Sequence, residues 1–333
     1  MGCAQRKSRR MPNWARRKPG RPRKKRWQPP RIGRPKYDRF RANEHMAVAE
    51  EIRTLVDSER IHEKQAGCLG RPPAKKRDII KSLLFLESIK CVIPKSPSVL
   101  SFYKDTLRLT KVPAPRTLYD YRAMPSITLT LERLQMAAAK ILWLKETMAA
   151  TDGTGNPHSR GKTWMNDRLD SGKYREYDKA HYIIGVNSLV IPVSKVTRCT
   201  WSEIPEFEHL VLAAIPGSNI KAISADSGLV AVENYEIAHE LGVTPYIKPK
   251  DCAVFHPHPS NAYERMVNFA TKFPDRFNSR YRWRVKAECA IHAKKVACGD
   301  IIRGRLPSSK RNQEICRTIV HNLRMTVMDR YGG

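Results

Sequence analysis

The chain is short of acid. Against 62 Lys and Arg its 333 residues set only 32 Asp and Glu, a formal net charge of +30. A surplus of that size points to a polyanionic partner, and nucleic acid is the commonest one because neutralised phosphates release counterions. The chain also lacks any apolar run near the roughly 18 residues of a membrane span, so no membrane partner is expected. Its eight cysteines, at 3, 68, 91, 199, 252, 289, 298 and 316, form no CxxC pair. That spacing excludes a zinc ribbon and a dense disulfide framework. No secretory apolar stretch is seen at the start, and the expected setting is the cytoplasm, with reduced thiols and association with the nucleoid. "MGCAQR" places Arg6 where an acylation signal wants Ser or Thr.

What is present is unevenly spread. Residues 1–45 hold 17 Lys and Arg against two acids, a net +15. Such a block repels itself and buries little, so a disordered basic tail is expected there. "KPGRPR" (18–23) and "RIGRPK" (31–36) repeat a basic-x-Gly-Arg-Pro-basic pattern, and "LGRPPAKKR" (69–77) partly echoes it. Gly admits close backbone approach and Pro keeps the chain extended, so Arg21 and Arg34 are candidates to enter a narrow minor groove. The pattern resembles an AT-hook; a plain electrostatic arm or a nuclear-targeting run fits the same residues.

Residues 46–145 read as helical. "AVAEEIRTLVDSERI" and "RDIIKSLLFLESI" repeat apolar residues at three- and four-residue spacing. "SPSVLSFYKDTL" and "PAPRTLYDYRAM" each open on Pro, as helix starts do. This segment is read as a helical DNA-binding or dimerisation region, with a merely buttressing bundle as the alternative. From 146 to 333 the rhythm becomes α/β. "ETMAATDGTG" approaches a glycine-flanked turn at Asp152, and "AHYIIGVNSLVIPVSKVT" reads as a hairpin around Asn187 and Ser188. "EFEHLVLAAI" is a helix, "IKAISADSG" a strand ending at Asp226, "AVENYEIAHELG" a helix closed by Gly242, and "TPYIKPK" a strand. A helix over "YRWRVKAECAIHAKK" follows, then a last amphipathic one bearing Ile315, Ile319, Leu323 and Val327.

In an α/β domain, working groups gather at the carboxyl ends of strands. Asp152 and Asp226 are expected at two such ends, and Glu288 on a helix that can cross the same edge. Three carboxylates from separate elements supply hard oxygen ligands for Mg²⁺. Two such ions, about 3.5–4 Å apart, could serve both oxygens of a phosphodiester displacement. At 100° per residue Tyr281, Arg284, Glu288 and Lys295 fall within about 60° of one another.

"ATDGTG", "SADSGL" and the spacing Tyr281-x2-Arg284-x3-Glu288-x6-Lys295 together resemble the DDE transposases of bacterial and archaeal insertion sequences. The group in question is the one carrying that Tyr, Arg, Glu, Lys signature, named after insertion sequence four. The likeness covers about 70–333, because "GRPPAKKRDIIKSLL" and "VPAPRTLYDYR" are similar to the family's N-terminal helices and "IVHNLRM" to its closing helix. It implies a ribonuclease-H-like catalytic core behind a small helical domain. Asp152, Asp226 and Glu288 would be the catalytic, metal-binding triad for two Mg²⁺ ions, with Mn²⁺ as a substitute. Tyr281, Arg284 and Lys295 would position a double-stranded DNA end, and a homodimer or higher assembly on DNA would follow. The implied activity is cleavage of the element's ends and strand transfer into target DNA. Some members carry a large β-rich insertion between the second Asp and the Glu. Here that interval is 288 − 226 = 62 residues, so a compact catalytic domain is expected.

Three readings lie outside this pattern. Cys252, His256 and His258 in "CAVFHPHPS" have zinc-ligand chemistry but no standard spacing, and read as a surface loop. His292 shares the Glu288 stripe, and the glutamates of "WSEIPEFEH" read as a solvated helix start. The functional alternatives are a catalytically silent, transposase-derived DNA-binding protein and a polybasic membrane-surface or RNA-binding protein acting through residues 1–45.

Overall fold

A computed structural model describes residues 34–62, 74–158, 177–250 and 252–332 of the chain. Arg21 and the repeats at 18–23 and 31–33 lie outside them. The expected tail is corrected in one respect: a helix, α1, runs from Arg34 to Ser58 and so begins inside the 1–45 segment, with Arg34 as its first residue. The reason is tertiary. Phe40 is buried, its ring 6.1 Å from that of Tyr331, and Glu44 is buried in an ion pair with Arg324. Both partners belong to the last helix.

Five further helices fill the rest of the N-terminal region: α2 (Lys76–Ser88), α3 (Ser96–Phe102), the single turn α4 (Lys104–Leu107), α5 (Pro115–Ala123) and α6 (Pro125–Trp143). Pro97, Pro115 and Pro125 sit in first turns, where a missing N–H costs nothing. Their apolar faces form a core with Ile52, Ile80, Leu84, Leu118 and Leu131 at its centre.

Next come β1 (Met148–Pro157), β2 (Tyr177–Gly185), β3 (Val193–Arg198), α7 (Ile204–Ala214), β4 (Ala222–Ala225), α8 (Val232–Glu240) and β5 (Thr244–Ile247). The sheet order is β3-β2-β1-β4-β5. β1, β2 and β3 form an antiparallel meander, while β4 and β5 add in parallel beyond β1. The chain is thus α/β with a five-stranded mixed sheet. α9 (Ala262–Lys272), α10 (Pro274–Tyr281), α11 (Val285–Cys298) and α12 (Pro307–Gly332) complete it.

Alternation in the strands sorts the two faces. Ala149, Ile183, Ile223 and Ile247 pack with Phe207, Val211, Tyr235 and Met266, so α7, α8 and α9 cover one face. Met148, Ala150, Tyr182 and Ile184 pack with Ala287, Ala290 and Ile291 of α11 on the other. α11 closes at Gly299, whose φ of +87° favours glycine. The interval from Asp226 to Glu288 holds α8, β5, α9 and α10 and, among the described residues, no further strand, in line with the compact domain expected.

Candidate active site

Asp152 is placed differently from the expected turn. β1 continues through Gly153 and Gly155 to Pro157, paired with β2 all the way, and Asp152 stands mid-strand opposite Tyr182. Yet the carboxyl-edge argument survives through β4. Its parallel register with β1 matches Ala150 to Ser224; two residues on, Asp152 comes level with Asp226, the residue after the last of β4. Strands lie roughly 4.8 Å apart, and equal parity points both aspartates the same way. That way is the face occupied by α11, since Met148 and Ala150 alternate with Asp152 and contact Ala287 and Ala290. Glu288 lies between those two alanines in the chain.

The expected single helix over 281–295 is also corrected. Tyr281 ends α10, a 3₁₀ turn spans Arg282–Arg284, and α11 starts at Val285. At three residues per turn, positions 281 and 284 eclipse, so the joint still stacks the tyrosine over the arginine. Arg284 then reaches both ways: Nη2 lies 2.7 Å from Glu288 Oε1 and Nη1 lies 3.9 Å from Asp152 Oδ2. Arg284 and Asp226 both lie close enough to act on the Tyr281 phenol, Arg284 lowering its pKa and Asp226 raising it. Five elements, β1, the end of β4, α10, the 3₁₀ turn and α11, therefore bring Asp152, Asp226, Tyr281, Arg284 and Glu288 near one another. Lys295 goes elsewhere along the same edge: Nζ donates to Thr154 Oγ1 at 2.6 Å and to the Gly155 carbonyl at 3.0 Å.

Three carboxylates face one guanidinium in this cluster, an excess of negative charge. Burial raises the Asp152 carboxyl above its ordinary value; the Gly153 amide and Arg284 pull it down, and Glu288 and Asp226 push it up. Burial, the largest single influence, would lower Arg284, but Glu288, Tyr281, Asp152 and Asp226 together outweigh it and raise the guanidinium. Burial also pushes the Tyr281 phenol up and the Lys295 ammonium down. Asp152 and Asp226 each accept their following residue's amide, from Gly153 at 2.9 Å and Ser227 at 2.8 Å. Among the described residues no three His, Cys, Asp or Glu side chains stand ready to hold an ion. Arg284 occupies the interval between Asp152 and Glu288. The donor set itself, three carboxylates and no softer ligand, fits Mg²⁺ or Mn²⁺ once that guanidinium turns away.

Beneath the site lies a network that periodicity alone could reveal. Lys294 falls on the buried stripe of α11 with Ala287, Ala290, Ile291 and Cys298. A cation on an apolar stripe implies a buried partner, and Lys294 is ion-paired with Glu314 and 2.5 Å from the Tyr182 hydroxyl. Asn156 donates to the other Glu314 oxygen at 3.0 Å. β1, β2, α11 and α12 are thereby tied together directly below Asp152 and Glu288.

The remaining candidates do not join the site. Cys252 and His258 are exposed in a loop, and His256 lies 3.7 Å from Glu264. His292 is exposed. Of the glutamates read as solvated, Glu206 is buried against Lys195 at 2.8 Å, and Glu203 meets Lys179 at 3.1 Å. The six cysteines within the described residues are free, as expected. No protein-family model, curated protein or solved structure matches this chain.

Proposed function

We propose that the protein is a DDE transposase of the Tyr, Arg, Glu, Lys signature group, with Asp152, Asp226 and Glu288 as its catalytic triad on a ribonuclease-H-like core. The observation that carries this reading is Arg284 in contact with both Asp152 of β1 and Glu288 of α11, with Asp226 at the end of the neighbouring strand β4 and near enough to act on the Asp152 carboxyl. The sheet beneath these residues is an antiparallel three-strand meander extended in parallel by β4 and β5, which sets Asp152 and Asp226 on neighbouring strands. An ordinary solvated helix face would account for the Arg284–Glu288 pair but not for the contact to Asp152 on another element.

On this reading the carboxylates hold Mg²⁺ or Mn²⁺ ions, which would activate the attacking oxygen and stabilise the leaving one. Arg284 and Tyr281 bind and orient the phosphate flanking the scissile bond. Lys295, anchored on Thr154 and Gly155, extends the cationic edge along the strand. The partner is double-stranded DNA, with two copies of the chain to join two ends. No helix among the described residues is long and apolar enough to cross a membrane.

The test is cleavage of a plasmid carrying the DNA that flanks the gene, with Mg²⁺ or Mn²⁺. Wild type should nick at two inverted ends. Asp152→Asn, Asp226→Asn and Glu288→Gln should each lose nicking while retaining DNA binding in a gel-shift assay. A folded variant that nicks at the wild-type rate removes that residue from the triad. Binding without cleavage by the wild type itself would leave the silent DNA-binding protein as the answer.

A further inference from the structure

Arg284 stands between two of the carboxylates proposed to hold an ion. It is the only side chain for which a contact to both Asp152 and Glu288 is seen among the described residues, at 3.9 and 2.7 Å. It is also the candidate phosphate ligand, and a guanidinium cannot serve the carboxylates and a phosphate on a neighbouring molecule at full strength together. We infer that Arg284 is an internal substitute for the ion, released from the carboxylates when a DNA phosphate takes it, so that ion binding and DNA binding are coupled through this one side chain. The inference rests on the reading of Asp152 and Glu288 as ion ligands.

The arrangement has the parts that such an exchange needs. Without a cation, Asp152, Asp226 and Glu288 would repel one another, an effect felt most at the largely buried Asp152, and Arg284 relieves that repulsion before any ion arrives. Its side chain is 22% exposed, so its outer edge faces solvent and a phosphate can reach it. Its backbone lies at the junction of the Arg282–Arg284 turn and α11, where rotation of the side chain disturbs no buried stripe. Lys295 sets the contrast: the same charge on the helix that follows Arg284, but bonded to Thr154 and Gly155 instead of the carboxylates.

Titration of full-length protein with Mn²⁺, followed by calorimetry, tests this without relying on cleavage. Arg284→Gln should bind Mn²⁺ more tightly than wild type, by between about 5-fold and 150-fold for a coupling of ordinary size. Lys295→Gln should change Mn²⁺ affinity little. Added duplex DNA should tighten Mn²⁺ binding to wild type and leave Arg284→Gln unchanged, because the competing group is already gone. Reciprocity requires Mn²⁺ to tighten DNA binding to wild type by the same factor. Equal or weaker Mn²⁺ binding by a folded Arg284→Gln overturns the inference, and an equal rise in Lys295→Gln reduces it to a general field effect. Asp152→Asn separates the two levels: it should abolish Mn²⁺ binding, and if it does not, the ion-ligand reading itself fails.

Discussion

His321 lies fully buried in α12, its Nε2 2.8 Å from the Leu189 carbonyl and its Nδ1 without a partner. A neutral imidazole donating through Nε2 suits that place and an imidazolium does not. Burial accordingly lowers its pKa to about 4, while the Leu189 carbonyl pulls the other way. In the unfolded chain the group returns to about 6.5. Between those values the unfolded state holds more protons than the folded one, so stability rises with pH across this window and is lost as pH falls through it. Going from pH 7 to pH 5 should therefore remove on the order of 2 kcal/mol through this residue. Urea unfolding at the two pH values checks it, because His321→Leu should unfold with a much shallower pH dependence. Equal slopes in wild type and variant would assign the acid sensitivity elsewhere. Glu314 differs: burial would raise it, but Lys294 and Arg317 outweigh burial and hold it down.

At the scale of elements, the β2–β3 connection depends on a carboxylate from outside it. Glu146, buried between α6 and β1, accepts the Asn187 amide at 3.0 Å and the Ser188 amide at 2.5 Å, with the Asn187 side-chain amide at 3.0 Å. Gly185 makes room for it, since a Cβ there would lie 2.8 Å from Glu146 Cγ. Glu146→Ala leaves these donors unsatisfied and should cost about 1–3 kcal/mol. Hydrogen exchange should then accelerate at Asn187 and Ser188 ahead of the strands. Unchanged exchange at these amides would mean that the turn holds itself. The sequence shows Asn187 and Ser188 as a turn but carries no sign of the acid that holds it. The same division runs through the fold. Periodic apolar spacing marks α2 and α12, and an apolar run before the Asn187 turn marks β2, because those patterns are local. Gly153 and Gly155 read as a turn, yet remain in β1 because β2 pairs with it as far as Pro157. α1 starts early because its partners Arg324 and Tyr331 lie near the other end of the chain, beyond any local window. The spacing of Tyr281, Arg284, Glu288 and Lys295 is legible in the sequence, whereas the position of Arg284 between Asp152 and Glu288 requires the fold.

For the molecule as a whole, α12 governs how the parts cohere. Ile315, Cys316, Ile319, Val320 and Leu323 belong to the same core as Ile52, Ile80 and Leu84. Its polar positions extend the contact: Arg317 meets Glu87 at 2.8 Å, Arg311 meets Glu132 at 2.5 Å, and Lys310 meets Asp178 at 3.1 Å. The first two pairs fix α12 to the N-terminal helices, and the third to β2. α6 works in the same direction, giving Leu131 and Leu134 to the helical core and Leu142 and Trp143 to the core beside the sheet. A boundary near 145, drawn where the sequence rhythm changes, thus cuts between two units that share both α6 and α12. Residues 34–145 alone would expose the apolar surface that α12 covers, and residues 146–306 would lose the anchor of Tyr182 on Glu314. The whole chain should therefore unfold in urea as one cooperative transition. Trp143 and Trp283 pack beside the sheet and report on it by fluorescence, while far-UV circular dichroism reports mainly on the helices. Coincident midpoints, together with failure of the separate 34–145 and 146–306 fragments to fold, are the expected outcome. Two resolved midpoints would make the helical region an independent domain, free to bind DNA without transmitting that binding to the acids. A single transition would instead make any load on the helices felt at Lys294 and Glu314, directly beneath the residues that meet at Arg284.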